Sequence, residues 1–326
     1  MKKLAHAGSI AVVVAALLWS ADGLLRQHLY SLPPSVIVFY EHILGFILLI
    51  PLLATSWKKF RELSRKQWIA MVAVALLSGA LGTILYTAAL GQVQYINFSI
   101  VVLLQQLNPI FAIAASAAFL KEKLGLRFLG LALCGLAGAY LVTFPDLQVN
   151  LSTGKGTLTA ALYAIGAAAS WGIGTAISKY SLRGTSYLHI SAARFGFTAI
   201  IALLFVFGTG SVAAVSTLSQ SQFFYLLAIT FSTGLVALLI YYFGLQRVAA
   251  SRAAVLELAW PLSAVLIDWI FLKKGLTVTQ ALGAMILFFI TYLVTIDTAE
   301  AKNAEAAVSK TITHHKTARK TVTSKI

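Results

Sequence analysis

The chain has 326 residues, of which 59% are apolar and only 11% are charged, and its mean hydropathy is +0.86. This composition is more apolar than a soluble globular domain needs to fill its core, so it excludes an ordinary water-soluble fold. The formal net charge is +15, but the basic residues lie between apolar runs and in the C-terminal tail rather than on one amphipathic surface. This placement argues against nucleic acid as a partner.

Ten apolar runs follow one another along the chain. A membrane-spanning helix needs about 20 apolar residues, because each residue advances the helix by about 1.5 Å and every backbone amide must bond within its own segment. Lys2 and Lys3 before the first run resemble a signal peptide, but no small-residue cleavage site follows and the run has a partner later in the chain, so we expect it to be retained. The predicted spans lie near Gly8–Gln27, Pro34–Ala54, Trp68–Leu90, Asn97–Leu120, Phe128–Phe144, Thr157–Lys179, Leu188–Gly208, Gln222–Leu245, Arg252–Leu272 and Val278–Ile296.

The distribution of Lys and Arg predicts the orientation of these spans, since positively charged short loops resist translocation. Most of the 25 Lys and Arg fall at the N-terminus, after alternate spans and in the tail, whereas Arg26, Lys155, Lys273 and Lys274 fall on the opposite side. We therefore expect a multi-pass protein of the cytoplasmic (inner) membrane with both termini in the cytoplasm. Residues 297–326 are polar and basic, and we expect a disordered cytoplasmic tail; contact with anionic lipid headgroups is the alternative.

Several landmarks recur at an offset of 152 residues. This offset indicates an internal duplication, which predicts one five-helix unit in residues 1–148 and a second in residues 149–296. Because five is odd, the second unit enters the membrane from the opposite side, and the fold becomes two inverted repeats within an all-α polytopic membrane protein of ten transmembrane helices. Secondary transporters commonly have this architecture, with a site at the repeat interface near the midplane. The matched pairs are Trp19 with Trp171, His42 with Arg194, Pro109 with Pro261, and Phe119-Leu120-Lys121 with Phe271-Leu272-Lys273.

Five short motifs in a fixed order show a family resemblance. They are Ala16-Leu17-Leu18-Trp19-Ser20, Asn108-Pro109, Leu120-Lys121-Glu122, Ala168-Ala169-Ser170-Trp171-Gly172 and Ala193-Arg194-Phe195. In order and spacing they resemble the EamA-type permeases of the drug/metabolite transporter superfamily, over nearly the whole chain apart from the tail. The resemblance implies ten helices that move small organic solutes, often by export of amino acids, metabolites or drugs. Two positions depart from the family pattern: Glu41-His42, where the second span often has arginine, and Lys274, where glutamate often follows the ninth span.

Ionisable side chains inside the spans are functional candidates, because they are costly in hydrocarbon unless they are paired or wetted. Glu41 and His42 in the second span either couple solute movement to protons or form a fixed hydrogen-bonded pair between helices. Asp22 and Arg26 have the i, i+4 spacing of a local ion pair, for which a structural role is favoured. Arg194, in the seventh span, is predicted to anchor its helix by reaching water at the membrane surface.

Polar residues directly precede prolines at matching positions of the fourth and ninth spans. Proline frees a backbone carbonyl, so its polar neighbours either satisfy that carbonyl or face a solute. We predict helix bends at Pro109 and Pro261, a cavity beside them, and proton coupling through Glu41, His42 or Glu257. Aromatic side chains provide flat surfaces for an organic solute. The predicted cavity residues are Trp19, Glu41, His42, Gln105, Gln106, Asn108, Trp171, Glu257 and Trp260.

Two further features bear on packing and on the solute. Small residues in 78–82 and 166–174 predict close contacts between helices. Four acids within the spans outnumber the fixed cation Arg194, which favours a zwitterionic or cationic solute over a polyanion. Those acids are Asp22, Glu41, Glu257 and the more weakly placed Asp268.

The chain lacks the motifs of the common enzyme and ATPase classes. It contains no HExxH, GxSxG or complete phosphate-loop pattern, and its single cysteine, Cys134, rules out an internal disulfide and a cysteine metal site. We therefore expect no metal, no cofactor and no direct ATP drive. The sequence predicts a secondary permease for a small-molecule solute that works by alternating access with proton or exchange coupling. The alternatives are a lipid-modifying intramembrane enzyme, which would use Asp22, Glu41 and His42, and a non-transporting scaffold.

Overall fold

The computed structural model describes residues 2–92, 101, 104–144, 147, 157–263 and 277–297, and these residues form helices and connecting turns with no strand among them. In the first half, the helices are α1 (Lys2–Trp19), α2 (Asp22–Arg26), α3 (Pro34–Arg61), α4 (Arg65–Val74), α5 (Gly82–Gly91), α6 (Asn108–Leu120) and α7 (Leu126–Thr143). In the second half they are α8 (Thr157–Ser181), α9 (Tyr187–Gly208), α10 (Val212–Ser216), α11 (Gln220–Ile229), α12 (Leu235–Leu245), α13 (Ala250–Leu256) and α14 (Val278–Asp297).

Eight helical segments in the described part of the chain are long and apolar enough to cross a membrane. They correspond to eight of the predicted spans, so the all-α polytopic class is confirmed. The predicted fourth and ninth spans lie partly outside the described residues. The fourth is described as the shorter apolar helix Asn108–Leu120, and the ninth from Ala250 to residue 263. A total of ten therefore stays a prediction.

Large apolar side chains cover the outside of the helical bundle. Phe288, Leu133 and Phe119 have exposed fractions of 70%, 67% and 66%. Such a surface is unfavourable in water and suits the hydrocarbon of a bilayer. Cys134 is likewise exposed, on α7.

The two halves pack against each other through matching pairs of helices. Helix α1 packs on α12, and its counterpart in the second half, α8, packs on α5. Helix α9 packs along α3, and α6 contacts α13, so equivalent elements of the two halves also meet directly. The space enclosed by these contacts lies between the halves.

A π-helical segment interrupts one span in each half at a matching position. Ala75–Leu81 joins α4 to α5, and Thr230–Gly234 joins α11 to α12. A π-helical turn is wider than an α-helical turn because its hydrogen bonds join residues five positions apart, and such segments often mark functional sites. The small residues here allow the close packing that the sequence predicts: a side chain at Gly79 would meet Thr198, and one at Gly82 would meet Trp171.

Glu122 links the end of α6 to the start of α13 in the other half. Lys121 adopts a left-handed conformation, with φ of 55°, and so ends α6 and turns the chain. The Glu122 carboxylate then accepts hydrogen bonds from the backbone N–H groups of Ala250 at 2.9 Å and Ser251 at 3.1 Å, and from the Ser251 hydroxyl at 2.5 Å. This contact holds the two halves together at one end of the bundle.

Candidate functional site

A cavity of about 180 Å³ lies between the two halves. An engineered protein cavity of roughly 150 Å³ holds benzene, so this space is large enough for a small organic molecule. Pro109 is on its wall, whereas Pro261 is buried and is not among the lining residues. All nine residues that are predicted from the sequence to form a cavity line this space: Trp19, Glu41, His42, Gln105, Gln106, Asn108, Trp171, Glu257 and Trp260.

A buried ion triad forms one part of the wall. The Arg26 guanidinium donates to the Asp22 carboxylate one turn earlier and, through Nη2, to Glu41 Oε2 at 2.7 Å. The exposed fractions of Asp22, Arg26 and Glu41 are only 6%, 2% and 5%. Thr87 accepts from Arg26 Nη1 at 3.3 Å, and Thr233 of the other half donates to Asp22 Oδ1 at 2.6 Å. Pairing offsets much of the cost of burying these charges and leaves the triad one negative charge in excess.

Glu41 and His42 have different partners. Glu41 is paired with Arg26, whereas His42 Nδ1 donates to the Val38 carbonyl at 2.9 Å along its own helix. The imidazole packs against Phe195 with ring centroids 5.0 Å apart. A carbonyl only accepts, so Nδ1 carries the proton and Nε2 is the acceptor of the neutral ring. Both side chains nonetheless line the same cavity.

A second polar group surrounds the helix break before Pro109. The helix is interrupted at residues 106–107 and resumes at Asn108, and the second half has a similar break at residues 257–258. Asn108 Nδ2 donates to Glu257 Oε2 at 3.0 Å, which joins the two breaks across the halves. Tyr241 donates to Glu257 Oε1 at 2.5 Å, and Thr175 shares a hydrogen bond of 3.3 Å with the Tyr241 hydroxyl. Both oxygens of Glu257 therefore have donors.

Several buried polar atoms on the wall have no hydrogen-bond partner within the described residues. A buried amide or indole N–H without a partner is costly, so such atoms are candidates for contact with a ligand. These atoms are Gln105 Nε2, Gln106 Nε2, Asn108 Oδ1, Arg194 Nε and Trp260 Nε1.

Aromatic rings form the flat parts of the wall. Trp19 lies against Tyr241 with ring centroids 5.1 Å apart, and Trp171 lies against Tyr86 at 5.2 Å. Trp171 Nε1 also donates to the Ser78 carbonyl at 3.1 Å, in the π-helical segment of the other half. The indole of Trp171 is thereby held in place, which suits a surface on which a planar solute stacks.

From the sequence, Arg194 is predicted to reach water at the membrane surface. Its side chain instead lines the cavity. Its Nη1 donates to the Tyr242 hydroxyl at 2.8 Å, and its guanidinium lies over the Tyr242 ring at 5.5 Å. Ser178 shares a hydrogen bond of 2.9 Å with the same hydroxyl. The reason is geometric: the face of α9 that carries Arg194 is turned towards the cavity, where partners replace water.

Asp22, Arg26 and Thr233 also line the cavity, although they are not among the cavity residues predicted from the sequence. The i, i+4 spacing predicts the Asp22–Arg26 pair, and the structure confirms it and places the pair on the cavity wall. No sequence signal points to Thr233, because its contact with Asp22 depends on packing between the halves. Asp268, Lys155, Lys273, Lys274 and the predicted tail after residue 297 lie outside the described residues.

These features define a class of protein. A multi-pass α-helical membrane protein with a polar, aromatic-lined cavity between two similar halves is built as a permease for small solutes. The sequence of this chain matches the model of the EamA-like transporter family twice, over residues 6–144 and 158–296, and the chain belongs to that family. The family model thus covers both halves.

Known proteins with similar sequences are named as transporters. The chain is 32% identical over 284 residues to "Riboflavin transporter ImpX" of Fusobacterium nucleatum, covering 86% of this chain and 94% of the relative. It is 23% identical to "Uncharacterized transporter YoaV" of Bacillus subtilis, covering 85% and 93%. A solved crystal structure with 18% identity superposes with a TM-score of 0.69 over 89% of this chain and 96% of the other, which shows the same fold.

Proposed function

We propose that this permease moves a flat, neutral heteroaromatic solute of the riboflavin type across the cytoplasmic membrane. The observation that carries the proposal is the cavity itself: tryptophans on its walls stand beside amide groups with free hydrogen-bonding atoms. The name of the relative from F. nucleatum supports the same solute class. Stacking rings and a few oriented polar groups are the usual means of recognising a planar heterocycle.

The charge balance of the wall, which is within one negative charge of neutral, supports a neutral solute over an anionic one. The preference for a cationic or zwitterionic solute rests on a count of charges within the spans that assigned Arg26 to the outer side of the membrane and so left it out. Arg26 is buried on the wall and neutralises much of the charge of Asp22 and Glu41. The remaining charged groups on the wall, Glu257 and Arg194, cancel in number, so the wall keeps one negative charge in excess. A solute without net charge would leave this balance undisturbed.

The proposed mechanism is alternating access between two inverted five-helix repeats, residues 1–148 and 149–296, in a ten-span fold with both termini and the basic tail 297–326 in the cytoplasm. The matched helix contacts between the halves and the two π-helical segments support an exchange between two similar states. Proton or solute exchange is the proposed drive, with Glu257 as the first candidate for coupling. Asp22 and Glu41 are both bound by Arg26, so they do not favour the lipid-modifying enzyme considered from the sequence.

Transport tests the solute class. Cells unable to make or take up riboflavin would express the wild type, Glu257→Gln or an empty vector, and labelled riboflavin would be followed in both directions. Glu62→Gln, the same change at an exposed position, is the matched control. We expect the wild type and the control to move riboflavin and Glu257→Gln to do so several-fold more slowly. No movement by wild-type protein present in the membrane would reject the proposal.

Topology is tested separately with reporters that are active on one side of the membrane only. Fusions after residue 326 and after Glu62 should report the cytoplasm, and a fusion at Gly210 should report the outside. An outside location of the C-terminus would overturn the inverted ten-span arrangement without affecting the solute assignment.

A further inference from the structure

Gln105 and Gln106 both line the cavity, and each has an amide nitrogen that is buried and unbonded. The exposed fraction of each side chain is 5%, and the Nε2 atoms of both have no hydrogen-bond partner within the described ranges. A buried N–H without a partner costs free energy, so a site that retains two of them is arranged to receive acceptors.

The helix break explains how two consecutive residues reach one cavity. Neighbours in a regular α-helix point about 100° apart, so both would not normally face the same space. Here the helix ends at Gln105, residues 106–107 form a turn, and Pro109 follows at the start of α6. The turn redirects Gln106, and both side chains line the cavity.

Asn108 adds an acceptor whose orientation is determined by chemistry. In its ionised form the Glu257 carboxylate has no hydrogen to donate, so the Asn108 group at 3.0 Å from it is then the amide NH₂. The Asn108 carbonyl oxygen is therefore directed away from Glu257, and it is buried without a partner. Tyr241 holds the other oxygen of Glu257, which prevents the carboxylate from rotating to release Asn108.

We propose that Gln105, Asn108 and Gln106 form a subsite for an imide edge, that is, a ring N–H flanked by two carbonyl groups. The two glutamines donate to the carbonyl oxygens, and the Asn108 oxygen accepts from the ring N–H. Flavins, lumazines and other pyrimidinediones carry this edge. The inference deepens the proposed function and rests on the same cavity, but it extends to any planar ring with this edge.

The surroundings of the subsite favour a neutral planar ring over other acceptors. A solute carboxylate would lie close to Glu257 and be repelled, and an ammonium group would face the glutamine donors. Trp260, whose indole N–H is also unpartnered, adds a further donor beside the break. Trp19 and Trp171 provide aromatic surfaces on the wall of the same cavity for the ring faces.

Methylation of the ring nitrogen tests the subsite, because it removes the N–H and keeps the rest of the molecule. Purified full-length protein would be titrated calorimetrically with riboflavin, 3-methylriboflavin, lumazine and 3-methyllumazine. A lost hydrogen bond that leaves a buried acceptor unpaired weakens binding by roughly tenfold or more. We expect this loss for both methylated compounds.

Variants assign the effect to residues. In Asn108→Ala, the methylated and parent compounds should bind within roughly twofold of each other, since the acceptor is gone. In Gln105→Leu and Gln106→Leu, the affinity for the parent should fall several-fold while the penalty for methylation remains. Gln220→Leu makes the same change at an exposed position and should bind like the wild type.

Each outcome separates the subsite from the transport proposal. Equal binding of riboflavin and 3-methylriboflavin by the wild type overturns the imide subsite and leaves riboflavin transport standing. Binding of lumazine with the methylation penalty, but not of riboflavin, supports the subsite and rejects the flavin assignment. No binding of any of the four compounds by folded, monodisperse protein overturns the subsite.

Discussion

Glu122 at the end of α6 accepts hydrogen bonds from both the backbone N–H and the hydroxyl of Ser251, at 3.1 and 2.5 Å. The two residues belong to different halves and are 129 positions apart. Under the proposed alternating access, we expect this contact to help close one end of the cavity. Its counterpart in the second half by the 152-residue offset is Lys274, a basic residue that lies outside the described residues.

Glu122→Gln should loosen this end of the bundle. The amide keeps the shape of the side chain but has one acceptor oxygen where the carboxylate has two, so we expect a loss of about 1 kcal/mol of stability. A thiol introduced on the cavity wall should then react faster from the side of Glu122. Glu62→Gln serves as the control. An unchanged labelling rate would show that the contact does not close the cavity.

Arg26→Met should destabilise the protein more than Glu41→Gln does. The first change leaves two buried carboxylates, Asp22 and Glu41, without their shared cation, and breaking a buried ion pair costs about 3–5 kcal/mol. The second keeps a hydrogen-bond acceptor for Arg26 and removes the excess negative charge. Thermal unfolding of the purified variants in detergent measures the order. A more damaging Glu41→Gln would show that the negative charge is the stabilising feature.

Gly174→Ala should disturb the contact between α8 and the π-helical segment Ala75–Leu81. A methyl group at Gly174 would collide with the side chain of Ser78, and overpacking of this kind costs about 1–3 kcal/mol. Gly130→Ala is the matched control, since a side chain there meets no atom within 4 Å. Thermal stability and transport should both decrease for Gly174→Ala only. Equal stability of both variants would argue that the π-helical segment adapts freely.

Tyr242→Phe should release Arg194 while preserving the aromatic ring. The change removes the hydroxyl that Arg194 and Ser178 contact at 2.8 and 2.9 Å. A hydrogen bond to a charged group is worth about 1.5–3 kcal/mol, and the freed guanidinium must find another partner. We expect a several-fold rise in the KM for transport at nearly normal protein levels. A fall in stability with an unchanged KM would assign Arg194 a purely structural role.

Glu257→Gln should separate proton coupling from solute exchange. Glutamine can still accept from Tyr241, but it cannot take up and release a proton, so a response to a pH gradient should disappear. Counterflow of labelled solute against unlabelled solute in vesicles needs no net proton movement and should persist at a reduced rate. A variant that still concentrates solute under a pH gradient would exclude Glu257 as the coupling group and direct attention to Glu41 and His42.

Much of the cavity wall was predictable because the membrane makes polar residues conspicuous. Gln105, Asn108 and Glu257 stand out in apolar runs, and the offset between Pro109 and Pro261 indicates that they lie at matching depths. The partners of these residues were less predictable. From the sequence, Glu41 and His42 either couple solute movement to protons or form a fixed pair, and no pattern indicates that Glu41 binds Arg26, which belongs to another helix.

The sequence by itself determined the membrane class and the two-part organisation of this protein. The bilayer imposes the same length and apolar content on every span, so these features can be recognised one segment at a time. Only the tertiary structure decided which groups share the cavity. Asn108 meets Glu257 over a separation of 149 residues, and Thr233 meets Asp22 over 211. Such contacts depend on how helices of the two halves rotate and pack, which no local pattern of residues specifies.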